Sequence, residues 1–391
     1  MKVMLVPNSY LPQLGGLEIA VANVARELTT RGCNVTVVTT SPSLRFSETR
    51  EPDGVKVYRL PFVLPRLVFR AGRAGLARSL ICSLLSPFLI PLCLVKLIRI
   101  IRYERPQIVN LHYIAQNAFY VLAAQQFANF KLVVNLHGTD IEHHSHRSWP
   151  SRWLTRTTLR RADIVLSNSA YILAQAEHIM PEVKVKSAVV GNGVHPEEFS
   201  TNEEFRHARP YILSIGSFIP NKGFDTLIRA FTQVNQEHPG VDLLIAGDGY
   251  ERESCRRLAD RLDIGNVVHF LGKIDHSLVP ALLKGCELFV LPSRVESFGI
   301  VVLEAMAAGK TVVATMVGGV PEILTHMRDG VLVEAEAPDK LAEEICSLLK
   351  DPELGRRLGA QAYHTVRERF TWAEVVRRYI YAYETVVAQR P

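Results

Sequence analysis

The chain has no Asp-x-Asp triplet, no Cys-x-x-Cys pair and no Gly-x-Gly-x-x-Gly run. The first absence removes the carboxylate pair that would carry a divalent ion onto a phosphate. The second argues against a redox or zinc module, and the third makes a nicotinamide reading weak. The six cysteines, Cys33, Cys82, Cys93, Cys255, Cys286 and Cys346, are scattered, mostly in apolar surroundings. They read as reduced core residues of a cytosolic protein. Short-period repeats and low-complexity segments are also missing, which excludes a solenoid. Basic residues nowhere form a run interleaved with aromatics, so nucleic-acid binding is not indicated. Near the N-terminus the apolar run is only Val3 to Val6, too short for a secretory segment. The chain is therefore expected to stay in the cytoplasm. Long apolar runs are few. The richest, Leu80 to Val95, is interrupted by Ser83, Ser86, Pro87 and Pro91. A membrane-crossing helix needs ~20 mostly apolar residues, and two prolines are expected to break this one.

What is present is ample apolar content, 48% of 391 residues, with a formal charge of +6. That length predicts two domains of ~150–200 residues each. Around that run, residues 62–105 alternate aliphatic stretches with Arg66, Arg70, Arg73, Arg78, Lys96, Arg99, Arg102 and Arg105. An interfacial helix with cationic flanks on an anionic membrane surface fits this pattern. A buried helical pair with its arginines exposed fits it too.

Along the chain, short apolar runs alternate with amphipathic stretches, which predicts βα arrays and parallel sheets. Residues 2–6 read as a strand, followed by a loop ending in Gly15-Gly16 and a helix over 17–31. Gly15 and Gly16 let the backbone approach a ligand closely, or serve a plain turn. A strand over 131–136 runs into His137-Gly138-Thr139-Asp140, and ligands bind just past such strand ends in open α/β sheets. His143, His144 and His146 follow without regular metal-ligand spacing and read as a polar loop. Periodicity stops near 195–208, the expected domain boundary. The second half opens with a strand, Tyr211 to Ile215, then Gly216-Ser217 and Lys222-Gly223 before a helix. Gly247-Asp248-Gly249 is a tight turn after another strand.

One stretch organises the rest. An apolar strand, Leu288 to Leu291, turns through a polar corner containing Arg294 and Glu296. A helix is predicted from Ser297, a good N-cap, to Gly309, a good C-cap. Glu304 then lies about two turns from Glu296. The amides at Ser297, Phe298, Gly299 and Ile300 suit an anion such as phosphate, and the two carboxylates suit sugar hydroxyls. Phosphate and polyol at one site describe a nucleotide-sugar. A strand–corner–helix unit with small residues at 305, 307 and 308 also packs well on a sheet whatever it binds.

Glu296 and Glu304, within Pro292 to Ala314, resemble the paired-glutamate signature of the retaining family 4 glycosyltransferases. The resemblance extends over nearly the whole chain. It implies the GT-B architecture, an α/β fold of two Rossmann-like domains facing across a cleft. Residues 1–200 would bind acceptor, 201–370 would bind the nucleotide-sugar, and 371–391 would cross back as a helix. By resemblance, Glu296 binds donor sugar hydroxyls, Glu304 binds the ribose, and His137 contacts the donor sugar near the reacting carbon. Asp140 would orient the acceptor. The Pro12 to Glu18 loop, with Gly15 and Gly16, would lie near the donor phosphates. In the family's G-R-x-x-x-x-K-G pattern the lysine is matched by Lys222, but the arginine position holds Ser217. Arg294, in the neighbouring loop, is the candidate replacement. Gly247 matches a further donor-side signature.

The chemistry expected is retaining transfer from a UDP- or GDP-sugar to a hydroxyl of a glycan or lipid-linked acceptor, through an oxocarbenium-like state. Lys222 and the helix amides would stabilise the departing diphosphate, so no metal or other cofactor is expected. Location on the inner face of the membrane and a place in polysaccharide or glycolipid synthesis are implied. Two alternatives are a nucleotide-sugar 2-epimerase of the same fold and a non-catalytic membrane-associated partner of a polysaccharide assembly complex.

Overall fold

The computed structural model describes all residues except 13–14, 44, 52, 65–75, 143, 145–146, 201–202 and 389–391, and describes only the backbone of 76–83. The chain divides into two compact units, Met1–Gly191 with Val375–Pro391, and Asn192–Glu374. The first division lies nine residues before the expected 200/201 and the second four residues after 370/371.

The first unit is built on an eight-stranded sheet: β1 (Lys2–Pro7), β2 (Asn34–Thr40), β3 (Ser47–Arg50), β4 (Lys56–Leu60), β5 (Ile108–His112), β6 (Lys131–Leu136), β7 (Ile164–Ser167) and β8 (Ser187–Val189). Their order is β3-β4-β2-β1-β5-β6-β7-β8. All pairings are parallel except that of β3 with β4. β5 is buried along its whole length, as a strand covered on both faces must be. The helices are α1 (Gly16–Thr30), α2 (Leu76–Glu104), α3 (Gln116–Ala124), α4 (Trp149–Arg161) and α5 (Ala170–Ile179).

α2 corrects one expectation. It runs unbroken through Pro87 and Pro91. Both prolines are exposed and lie one turn apart, so the carbonyls they leave unbonded face the solvent side of the helix. The opposite face, with Cys93, Leu97, Ile100 and Ile101, is sealed in the core of the unit. Leu84, Phe88 and Leu92 remain exposed. Arg66, Arg70 and Arg73 of the expected cationic segment lie outside the described residues, and the side chain of Arg78 does too. Five cysteines are free and buried, as expected; the side chain of Cys82 is outside the description.

The second unit carries a six-stranded sheet of β9 (Tyr211–Ile215), β10 (Asp242–Ala246), β11 (Val268–Gly272), β12 (Leu288–Leu291), β13 (Thr311–Thr315) and β14 (Val331–Val333). The order is β11-β10-β9-β12-β13-β14, parallel throughout. Its helices are α6 (Phe224–Glu237), α7 (Arg252–Arg261), α8 (Val279–Gly285), α9 (Ile300–Ala307), α10 (Val320–Ile323), α11 (Pro338–Lys350) and α12 (Pro352–Arg369). α13 (Trp372–Ala388) leaves this unit and rejoins the first. In this sheet the strand order reverses between β9 and β12, which makes the crevice past their carboxyl ends the natural place for a ligand.

Candidate active site

The two loops at that reversal are tied together. After β9, residues 216–223 lead to α6; after β12, residues 292–299 lead to α9. Arg294 N–H donates to the Asn221 carbonyl at 2.8 Å. Lys222 Nζ donates to Glu296 Oε2 at 2.6 Å, and both side chains are mostly buried. The expected pair therefore meets in one place. Glu296 is fixed from behind as well, its carbonyl accepting the Gly319 N–H at 3.0 Å. A Cβ on Gly318, whose φ is +54°, would stand 1.8 Å from that carbonyl oxygen, so only glycine fits.

α9 starts at Ile300, and its N-cap lies two residues later than the one expected at Ser297. Gly299 is the N-cap, with φ +103°. That left-handed turn lets Ser297 and Phe298 finish the corner before the helix begins. The side chain of Phe298 is buried in the core near Phe370, so only its backbone can face a ligand. The first amides of α9, at Ile300 and Val301, have no acceptor within the helix and carry the positive end of its dipole. The helix stops before Gly309, as expected, with φ +69° there.

Glu304 is 9% exposed. Its Oε1 accepts a 3.0 Å bond from His276 Nε2, in the loop after β11. That bond and the charge of Glu304 raise the His276 pKa, against the effect of burial. His276 was missed in the sequence, where nothing in Ile274-Asp275-His276 marks it as a partner of a residue on a helix 28 positions away.

Arg294 does something other than expected. Its guanidinium donates twice to Asp225, at 2.8 Å each, once to Glu336 at 2.8 Å and once to the Pro220 carbonyl at 2.8 Å. The Asp225 bond raises the arginine pKa and lowers that of the aspartate. A guanidinium held by two carboxylates is not a free partner for a diphosphate. Arg294 staples the first turn of α6 to the corner and does not replace an arginine at Ser217, which is exposed with its carbonyl accepting the Ile219 N–H. Gly247 lies against the Gly216 carbonyl, where a Cβ would come within 1.8 Å.

In the first unit, Gly15 caps α1 in an extended conformation, φ −161°, and Gly16 is the first helical residue. A positive φ is therefore not the reason for glycine here. A Cβ on Gly15 would meet the Glu18 carboxylate at 2.5 Å, and Glu18 is itself bonded to Ser9.

His137 sits past the end of β6 in a buried polar ladder. Its Nε2 lies 3.2 Å from His112 Nδ1 and 3.1 Å from Asn135 Nδ2, and its Nδ1 lies 3.3 Å from Asn168 Nδ2. Asn135 also donates to Tyr379 at 2.8 Å, and Asn110 to Tyr383 at 2.6 Å. Burial lowers the His137 pKa to about 3, so the imidazole is neutral at working pH. The ladder went unread in the sequence. Its signals are polar residues inside apolar strands, Asn110 and Asn135, and the Tyr379/Tyr383 spacing of one helical turn.

Asp140 is fully buried, and its oxygens accept N–H bonds from Ile114, His137 and Gly138 at 3.3, 3.1 and 2.9 Å. Burial raises its pKa to about 6 despite those bonds. This corrects the acceptor role: Asp140 shapes the loop that presents His137 and is turned away from solvent. His143 and His146 lie outside the described residues. His144 is lowered in pKa by burial and by Arg156, Arg147 and Arg152.

Comparison with known proteins bears on both units. Residues 196–365 match the model described as Glycosyl transferases group 1, and residues 15–193 match the Glycosyl transferase 4-like domain. The chain belongs to the family 4, or group 1, glycosyltransferases. It is 31% identical to N-acetyl-alpha-D-glucosaminyl L-malate synthase of Bacillus anthracis, over 75% of this chain and 78% of that one. It is also 31% identical to a GDP-mannose-dependent monoacylated alpha-(1-6)-phosphatidylinositol monomannoside mannosyltransferase of Corynebacterium glutamicum, over 64% and 68%. Among solved structures, Anabaena HepE in complex with UDP and glucose aligns over 98% of this chain and all of that one, at 21% identity and a TM-score of 0.74. The glycosyltransferase is thus an enzyme of the GT-B fold, built from two Rossmann-like domains. Ser217, Lys222, Gly247, Arg294, Glu296 and Glu304 lie in its second unit, and Gly15, Gly16, His137 and Asp140 in its first.

Proposed function

We propose that this chain transfers a sugar, with retention, from a UDP- or GDP-sugar to a hydroxyl of a glycan or lipid-linked acceptor. The observation that carries this is the 2.6 Å Lys222–Glu296 bridge at the strand-order reversal, beside the open amides of α9. A nucleoside diphosphate placed there meets the α9 dipole and the Lys222 ammonium. As the glycosidic bond breaks, negative charge grows on the leaving phosphate, and these preorganised groups stabilise it. Glu296, held against Lys222, accepts from sugar hydroxyls; Glu304 accepts from the ribose. His137, as a neutral imidazole, offers a hydrogen bond to a sugar hydroxyl without adding charge. Departure needs no metal because lysine and helix amides meet the developing charge. The UDP of HepE and the GDP-mannose of the Corynebacterium enzyme support a nucleotide-sugar donor.

The acceptor side of the reading rests on α2. Its segment Leu84–Glu104 has mean hydropathy 2.1 and is long and apolar enough to cross a membrane. One face is sealed in the domain core, however, so the exposed face, Leu84, Leu85, Phe88 and Leu92, is placed to lie on a bilayer with Lys96, Arg99 and Arg102 toward anionic headgroups. This supports a reading in which the enzyme works on the inner membrane face, where a lipid-linked acceptor is presented.

The test is transfer of labelled sugar from a panel of UDP- and GDP-sugars into membrane extract. Lys222→Ala and Glu296→Ala are each expected to lower kcat/KM by about 10²-fold or more. Full activity in both variants rejects the site.

A further inference from the structure

We propose that the second unit carries a divalent transition-metal site, of the zinc class, made by His207, Asp242 and His269. The three residues come from separate segments. His207 lies in the stretch leading into β9, Asp242 begins β10, and His269 is on the edge strand β11. Their donor atoms converge on one point. His207 Nε2 is 2.7 Å and His269 Nε2 is 3.1 Å from the same carboxylate oxygen, Asp242 Oδ2. All three donor atoms lie within 4.8 Å of one another.

Two imidazoles and a carboxylate are a common zinc donor set, with a fourth position for water. Bonds of about 2.0–2.2 Å in a tetrahedron separate neighbouring donors by roughly 3.3–3.5 Å. The observed 2.7 and 3.1 Å contacts therefore need to open by roughly 0.6–0.8 and 0.2–0.4 Å. The support around the donors is also that of a metal site. Asp242 is 3% exposed, and its other oxygen lies 3.0 Å from Arg209 Nη1, which orients the carboxylate from outside. Arg209 is anchored in turn on the Pro239 and Gly240 carbonyls. The two imidazole rings stand 5.1 Å apart at 65°, and Tyr211 closes one side of His207 edge-on. His269 is partly exposed, which gives an ion a way in.

The position argues for a structural ion. Asp242 is at the amino end of β10, whereas the donor loops leave the carboxyl ends of the strands. Five residues of strand separate the two ends by on the order of 15 Å. A metal here joins the segment before β9 to the edge strand of the sheet and takes no part in sugar transfer.

The full chain, stripped with a chelator, is titrated with Zn²⁺ or Co²⁺ alone. One equivalent of Co²⁺ is expected to bind, with the visible absorption of a four-coordinate nitrogen–oxygen site, and Zn²⁺ to displace it. Zn²⁺ is expected to raise the unfolding temperature. His269→Ala and His207→Ala should each weaken binding on the order of a hundredfold and abolish the thermal gain, while glycosyl transfer by His269→Ala stays at the level of the chelator-treated parent. His269 is exposed enough that its replacement leaves the fold in place, which circular dichroism checks. Co²⁺ binding by the parent no tighter than by the His207→Ala/His269→Ala double variant overturns the site, as does Zn²⁺ binding that leaves the unfolding temperature unmoved. Neither readout depends on the transferase reading, so the two fail separately.

Discussion

Glu304 is held by His276 at 3.0 Å. The sign of the resulting pH dependence follows from the raised imidazole pKa. Below that pKa the ring is charged and grips Glu304 tightly; as pH rises through it, above the ordinary value of about 6.5, the grip weakens. If Glu304 takes the ribose, donor KM is expected to fall roughly two- to tenfold across that window, the worth of one net hydrogen bond. His276→Asn should flatten the profile, and steady-state kinetics from pH 6 to 8.5 decide it. Arg294 is the second residue on whose role the geometry bears. Its fork is spent on Asp225 and Glu336, so Arg294→Ala is expected to leave donor KM within about twofold and to cost stability of ~1 kcal/mol, the carboxylates being largely solvent-screened. A large rise in donor KM with unchanged urea midpoint would contradict this.

The central strand–corner–helix unit was legible because its signals are local: an apolar strand, a polar corner, a helix closed by a glycine. Its start was misplaced because Ser297 satisfies the N-cap preference, whereas the bend requires a left-handed residue and Gly299 supplies it. α2 was misread for a similar reason. Proline is a breaker in isolation, but Pro87 and Pro91 fall on the exposed face of a helix anchored by Cys93, Leu97 and Ile101. Contacts between distant loops left no trace in local pattern: Arg294 with Asp225 spans 69 positions, and only the family resemblance brought Lys222 and Glu296, 74 positions apart, to one site. The loop-on-loop packing makes its own prediction. Gly318→Ala places a methyl at 1.8 Å from the Glu296 carbonyl and in a left-handed conformation. The loop must retreat, taking Glu296 from Lys222. We expect a soluble, folded protein with kcat/KM down by at least an order of magnitude, checked by transfer assay beside circular dichroism.

The first unit is completed by the chain's last helix, since Tyr379 and Tyr383 close a polar ladder that begins 244 and 273 positions earlier. The first unit therefore holds a buried histidine, a part-buried histidine and a buried aspartate whose proton balance sets its acid tolerance. Burial lowers the pKa of His137 to about 3 and drives that of His112 well below its ordinary value. A depressed histidine pKa gives stability that is present above about pH 6.5 and is lost as pH falls, because only the unfolded chain takes up those protons. Asp140 works the other way. Its pKa is raised to about 6, so between about pH 6 and 4 the native state binds a proton that the unfolded chain does not. Two protons against one leave a net uptake of one by the unfolded chain in that range. Stability of the first unit is then expected to fall on acidification from pH 6 to 4. His112→Gln should remove most of that slope and Asp140→Asn should steepen it, even though Asp140→Asn also loses about 1–3 kcal/mol outright by setting an amide N–H against the Ile114 N–H. Hydrogen exchange of the β5 and β6 amides between pH 6 and 4, corrected for intrinsic rates, measures the slopes. Equal slopes in the parent and in His112→Gln would show that the buried imidazoles do not govern the acid limit.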